Sequence, residues 1–211
     1  MVKDCRTEQD RVLAPWPAKE LADYRILLAS NSPRRRELLG MILRRFEVAQ
    51  ARDIDESYPD TLAAPEVPAY LSQLKARAYA DMLEPKELII TADTVVIDGD
   101  AILGKPSTPE EARNMLRRLS GHAHTVVTGV TLTTPDRTLT FSETTKVHFG
   151  HLDEKEITEY VDLYYPLDKA GAYGIQEWIG AVGITGIEGC YYNVMGLPLN
   201  ALYRNLRTFF S

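Results

Sequence analysis

Apolar and polar positions alternate in blocks along the chain, and the blocks predict most of its elements. Ile26-Leu27-Leu28-Ala29 is a short apolar run followed by polar Ser30–Glu37 and then by apolar positions at 38, 39, 42 and 43. That order predicts a strand at 24–29, a turn and a helix at 33–43. Leu88-Ile89-Ile90-Thr91-Ala92 is a second near-continuous run, suited to a strand covered on both faces, and Val95-Val96-Ile97 carries it on to a turn at Asp98-Gly99-Asp100. Leu71, Leu74, Ala78 and Met82 recur at helical spacing after Pro65. Thr- and Val-rich segments at 122–134 and 138–149 flank Pro135-Asp136 and predict a long hairpin.

The remaining pattern is simpler. Phe46–Ala49 suggests a short strand, and the acidic stretch Asp53–Ser57 before Pro59 a loop. Helices are expected at 108–119, 153–163 and 198–209, and a strand between Ile179 and Ile187 in an otherwise glycine-punctuated region. Residues 1–23, polar and broken by Pro15-Trp16-Pro17, read as an N-terminal extension with at most one short helix. The domain proper would run over 24–211. Helices alternating with strands, plus one long hairpin, give an α/β class with a mixed sheet.

The first helix start is unusual. Ser32 suits the N-cap and Pro33 the first helical position, but Arg34, Arg35 and Arg36 fill the first turn. Cations there oppose the helix dipole, at about 0.3–1 kcal/mol each when exposed. Thr108-Pro109-Glu110-Glu111 and Asp153-Glu154-Lys155-Glu156 place acids there instead, with Glu three residues after the cap. Two readings account for the arginines: an ordinary capped surface helix with solvated side chains, or a phosphate site in which free amides and guanidinium forks act together.

Composition narrows the choice of ligand. Apolar and charged fractions of 45% and 26% over 211 residues are those of a soluble globular protein. A net charge of −6 argues against a general nucleic-acid binder and favours a small anion in a local cationic pocket. Two cysteines, Cys5 and Cys190, without a CxxC spacing indicate neither a disulfide framework nor a structural zinc site. No apolar run approaches a membrane span, no signal-peptide core is visible, and a reducing cytoplasm is the expected location.

Several polar groups stand where chemistry needs them. Asp93, expected at or near the carboxyl end of its strand, could hold a divalent cation, accept a proton from water or cap the next turn. Glu56, Asp55 and Asp53 offer further oxygen ligands or a solvated loop. Lys105, between Gly104 and Pro106, and Lys75 could each reach a phosphate as a point charge or face water. His122 and His124 share one face of a predicted strand at a metal-site spacing, with no third ligand nearby in sequence. No serine or cysteine nucleophile with a His partner, no GxxxxGK[ST] loop and no GxGxxG occurs.

Taken in order, Ser30-x-Ser32-Pro33-Arg34-Arg35-x-Glu37-Leu38-Leu39, Glu56, Lys75, Ala92-Asp93-Thr94, Gly104-Lys105-Pro106, Thr128-Gly129-Val130, Lys169-Ala170-Gly171-Ala172-Tyr173-Gly174-Ile175-Gln176 and Asn193-Val194-x-Gly196-Leu197-Pro198 resemble the Maf family of nucleoside triphosphate pyrophosphatases. The resemblance runs from about 24 to 209. It implies an elongated mixed sheet flanked by helices, related to the inosine triphosphate pyrophosphatase architecture, and a cytoplasmic homodimer. It also implies an enzyme dependent on Mg²⁺ or Mn²⁺ that cleaves a nucleoside triphosphate between its α and β phosphates.

In the dTTP and UTP branch the proton acceptor falls on Asp93, and residues important for substrate choice fall on Arg34, Thr94 and Gln176. Ser32, Arg35, Lys75 and Lys105 would then grip the triphosphate, with Glu56 and Asp93 placing the metal. Gln176, whose amide donates and accepts side by side, could read the uracil or thymine edge. Neither nucleic acid nor membrane is an expected partner. The competing readings are a non-catalytic regulator of septum formation, after the family's historical label, and a basic-patch RNA-binding module. The acidic balance and the lack of aromatic platforms beside the arginines count against the second.

Overall fold

The structure, a computed structural model, describes residues 19–210; the expected extension at 1–23 lies largely outside them. Lys19–Ala22 forms a single turn, α1, and leads into β1 (Arg25–Leu28) and α2 (Pro33–Ile42). The two-residue β2 (Glu47–Val48), a 3₁₀ turn at Ala64–Glu66 and α3 (Val67–Ala80) follow. The centre of the chain holds β3 (Glu87–Asp98), β4 (Ala101–Leu103), α4 (Pro109–Leu119) and the hairpin strands β5 (Ala123–Thr133) and β6 (Thr138–Phe149). The C-terminal part adds α5 (Glu154–Tyr164), a 3₁₀ turn at Ala170–Ala172, α6 (Trp178–Gly183), β7 (Ile184–Glu188), α7 (Tyr191–Met195) and α8 (Leu199–Phe209).

The strands form one mixed sheet in the order β2-β1-β3-β5-β6-β7, with β4 on β3. β1 lies parallel to β2 and to β3, whereas β3, β5, β6 and β7 pair antiparallel. β3 is therefore where the parallel and antiparallel halves meet. Its pairing with β1 ends at Ile90 and its pairing with β4 begins at Val96, so one edge of β3 is left open over residues 91–95. Asp93 and Thr94 sit in that opening. Asp93 thus lies mid-strand, and not at the strand's end as expected; what ends just before it is the parallel ladder.

Alternation along β3 sorts the core. Leu88, Ile90 and Ala92 pack with α2 and α8, and Val96 on the same face packs with α4, α5 and the residues around Tyr173. Val95 and Ile97 on the other face pack against Val67 and Leu71 of α3. Thr94, on the first face, falls between two apolar clusters.

One expected element differs. Ile179–Ile187 does not extend as one strand: residues 178–183 coil into α6 and only Ile184–Glu188 joins the sheet. A short apolar run lacks the periodicity to separate buried helix from strand. Gly180 donates its amide to the Glu177 carbonyl and lies so close to Ile175 that a side chain would overlap the Ile175 carbonyl, which turns the chain into a helix. No helix of the described residues is long and apolar enough to cross a membrane.

Candidate active site

The open edge of β3 floors a cleft of about 560 Å³. Its walls come from the β1–α2 turn, the loop around Glu56, α3, the Gly104-Lys105 turn and the segment from Asp168 to Gln176. Ser32, Arg34, Arg35, Glu56, Lys75, Asp93, Thr94, Lys105 and Gln176 all line it. Asp53 and Asp55 do not; Asp55 instead accepts the Ser57 amide at 3.0 Å, closing a local turn.

α2 supplies the anion-seeking end. Ser32 Oγ accepts the Arg35 amide at 3.4 Å, as an N-cap should, and Pro33 fills the first helical position. The three arginines then separate in role. Arg36 is exposed. Arg34 donates to Asp168 at 2.6 Å. Arg35 folds back into the protein, donating through Nε to the Gly196 carbonyl at 2.9 Å and through Nη2 to Thr94 Oγ1 at 3.0 Å. Desolvation in this packed position lowers its pKa, against the raising pull of Asp93. A guanidinium stays charged even so.

The other wall is carboxylate-rich. Asp93 and Glu56 both reach Lys75 Nζ, at 2.6 and 2.9 Å, and the Lys75 and Asp93 side chains are each only 14% exposed. Two carboxylates are thereby held on one ammonium. Among the described residues no group of three or more His, Cys, Asp or Glu side chains could hold a metal. Magnesium does not require one, since it is usually held by one or two carboxylates plus substrate phosphates. Glu56 and Asp93 fit that donor set.

Sequence reasoning missed a charged ladder at the back of the cleft. Lys169 Nζ, buried, contacts Asp168 at 2.7 Å and Glu177 at 3.1 Å. The Tyr160 hydroxyl donates to Glu177 in a short hydrogen bond and accepts the Gly174 amide at 3.1 Å. Burial works to raise the Asp168 carboxyl, but the hydrogen bonds from Lys169 and Arg34 outweigh it and leave it below the usual range. Adjacent Asp168-Lys169 and the neighbour of Gln176 were visible as letters. Nothing local linked them to Arg34, 134 positions away.

Lys105 and Gln176 are exposed at the rim, and Lys105 makes no ion pair with a described residue. The two histidines part company. His122 pairs with Asp98 at 3.0 Å on the surface, while His124 is buried against Tyr173. Six cations line the cleft against three carboxylates, so a local positive field stands in a chain of net charge −6.

Comparison with known proteins fits this geometry. The family described as Maf-like protein matches residues 25–209. The chain is 51% identical over 189 residues to a protein of Phocaeicola vulgatus named dTTP/UTP pyrophosphatase, covering 90% of this chain and 98% of that one. It is 53% identical over 184 residues to a Bacteroides fragilis protein of the same name, covering 87% and 95%. Among solved structures, the Staphylococcus aureus Ham1 protein superposes with a TM-score of 0.52 at 17% identity over 88% of this chain and 99% of that one, a likeness of fold alone.

Proposed function

The chain belongs to the Maf-like family, and from that premise we propose that it hydrolyses dTTP and UTP to the monophosphate and pyrophosphate. The observation that carries this reading is the convergence of Glu56 and Asp93 on Lys75 beside the arginine-bearing start of α2. Close relatives that carry the name dTTP/UTP pyrophosphatase support the substrate class.

The chemistry follows from charge. A triphosphate enters the cationic cleft and takes over hydrogen bonds that Lys75 and Arg34 give to carboxylates in its absence. Ser32, Arg35, Lys75 and Lys105 hold its oxygens, Ser32 also capping α2, while Arg34 and Thr94 bear on substrate choice. Asp93 accepts a proton as water oxygen bonds to the α-phosphorus; the bond from that phosphorus to the bridging oxygen breaks, and pyrophosphate leaves with the electron pair. Lys75 and Lys105 offset the charge that builds on the leaving group, while Arg35 binds the phosphates alike before and during the reaction. Glu56 and Asp93 would hold a divalent cation, Mg²⁺ or Mn²⁺, which supplies further charge neutralisation at the phosphates when bound. Gln176, at the rim, reads the pyrimidine edge through its paired donor and acceptor.

A non-catalytic regulator of septum formation gives no reason for two carboxylates to share one buried ammonium inside a cationic cleft. The test is direct. Purified protein with UTP or dTTP and Mg²⁺ or Mn²⁺ releases pyrophosphate, and Asp93→Asn loses about 10²–10⁴-fold in turnover while its circular dichroism is unchanged. Near-normal turnover in the variant removes the role given to Asp93, and a wild-type chain inert towards every nucleoside triphosphate removes the proposal.

A further inference from the structure

Thr128 belongs to a short motif, Thr128-Gly129-Val130, whose threonine has no place in the chemistry above. It is fully buried, opposite Thr94 in the β3–β5 register, on the face where two apolar clusters meet. A hydroxyl in that seam must be matched or it destabilises the fold. Its partners trace a closed ring. Arg35 Nη2 donates to Thr94 Oγ1 at 3.0 Å, Thr94 Oγ1 meets Thr128 Oγ1 at 2.9 Å, and Thr128 Oγ1 donates to the Asn193 carbonyl at 3.1 Å. That carbonyl also accepts the Gly196 amide at 2.9 Å, and the Gly196 carbonyl accepts Arg35 Nε at 2.9 Å, which closes the ring.

The direction of every bond is fixed by its ends. Arg35 can only donate and a carbonyl can only accept. Thr128 therefore spends its one proton on Asn193 and must accept from Thr94, and Thr94 spends its proton on Thr128 while accepting from Arg35. Thr94 then has no proton left for a ligand.

The ring's anchor is itself well held. Asn193 is fully buried, and its Nδ2 donates to the Val126 carbonyl and to Thr145 Oγ1, both at 3.0 Å. Gly196 adopts φ +113°, a conformation open to glycine that turns its carbonyl to the arginine.

Of the five guanidinium N–H groups the ring takes Nε–H and one on Nη2. Nη1 has only a long contact, 3.5 Å, to Ser30 Oγ. The pair of N–H groups at the Nη1–Nη2 end is thus the part left for a phosphate, in the geometry that binds two oxygens side by side. We propose that Thr128 is a positioning residue: acting through Thr94, it fixes the rotation of the Arg35 guanidinium so that its end-on fork faces the triphosphate. This rests on the proposed pyrophosphatase reading and deepens it.

The experiment compares Thr128→Val, which keeps shape and removes the hydroxyl, with Thr128→Ser, which keeps the hydroxyl. Thr128→Val raises KM for UTP about tenfold and leaves kcat within about threefold, the pattern of lost phosphate binding. It raises KM for dTTP by the same factor and weakens pyrophosphate binding in calorimetry alike. Thr128→Ser restores all three. In an Arg35→Lys background the valine substitution weakens pyrophosphate binding by less than about twofold more, as coupled residues should.

Should Thr128→Val fail to fold, Thr128→Cys, similar in volume and weak as a donor, carries the same expectation. Wild-type KM and pyrophosphate affinity in the valine variant, a serine variant no better than valine, or an undiminished effect without Arg35 each overturn the proposal. A wild-type chain that hydrolyses no nucleotide overturns the reading beneath it, which is a separate result.

Discussion

His124 shows how far a single side chain can depart from its local pattern. Two positions from His122, on what the sequence reads as one strand face, it invites a metal reading; β5 starts only at Ala123, and His124 is 2% exposed and packs between Phe149 and Tyr173, with centroids 5.4 Å from each. Nε2 shares a 2.7 Å hydrogen bond with the Tyr173 hydroxyl, and Nδ1 is buried without a partner. Burial, aided by the nearby charge of His122, pulls its pKa from 6.5 down to about 4. A depressed histidine pKa means that the unfolded chain binds the proton first. Stability is therefore intact above about pH 6.5 and declines as pH falls towards 4, by about 2 kcal/mol between pH 7.5 and 5 from this group. Asp98 and Asp168, held below the carboxylate range by their cationic partners, add losses only at lower pH. Urea denaturation of His124→Phe should show a flatter dependence over pH 7.5–5 than the wild type. Parallel curves would mean that His124 is not the titrating group.

At the scale of elements, the cleft depends on how closely α3 lies on the sheet. Gly129 of β5 faces Asp93 in register, and a methyl group there would overlap the backbone of Pro68 and Ala69 at the start of α3. Backbone cannot yield as a side-chain tip can. Gly129→Ala should destabilise by about 3 kcal/mol, at the upper end of overpacking costs, and should lower activity as well, because α3 carries Lys75. Stability within about 0.5 kcal/mol of wild type in a denaturant series would show that the helix can lift at no cost. The same elements show what a sequence makes legible. Long periodic or alternating segments, the β5–β6 hairpin above all, have boundaries set by their own residues. The α6 segment does not, because six residues of mixed Gly and apolar character satisfy either conformation until Ile175 packs against them. In the site, Arg34, Lys75 and Asp93 stood out against their local context, whereas the Asp168–Lys169–Glu177–Tyr160 ladder exists only through pairings that folding creates. The open edge of β3 was equally invisible, since it arises from where β1 stops and β4 begins.

For the whole molecule, the consequence lies in what the cleft joins. Ser30 and Arg35 rest on the cluster built from β1, α2 and α8, Lys75 on the α3 layer, and Asp168 and Lys169 border the cluster around α4 and α5. Apart from Met195, which packs against two of the clusters, polar residues line the seam at the cleft, so much of the contact across it is hydrogen bonds and ion pairs. A triphosphate bridging Arg35, Lys75 and Lys105 would add ties between parts of the chain that otherwise meet through the sheet and a few polar contacts. It binds the folded state alone, because the unfolded chain, at net charge −6, has no assembled cation cluster to offer. A non-hydrolysable α,β-methylene analogue of UTP at a hundred times its Kd should then stabilise by about 2.7 kcal/mol. For a chain of this length that corresponds to a rise in Tm of roughly 5–10 °C. The rise should shrink in high salt, since Arg52 and Lys105 are exposed and Arg34 and Lys75 face half-exposed carboxylates, where counterions screen. Differential scanning calorimetry at low and high ionic strength measures both effects. An unchanged Tm at the highest soluble concentration of analogue would mean that the folded chain does not bind the triphosphate at all, which removes the cleft as its site.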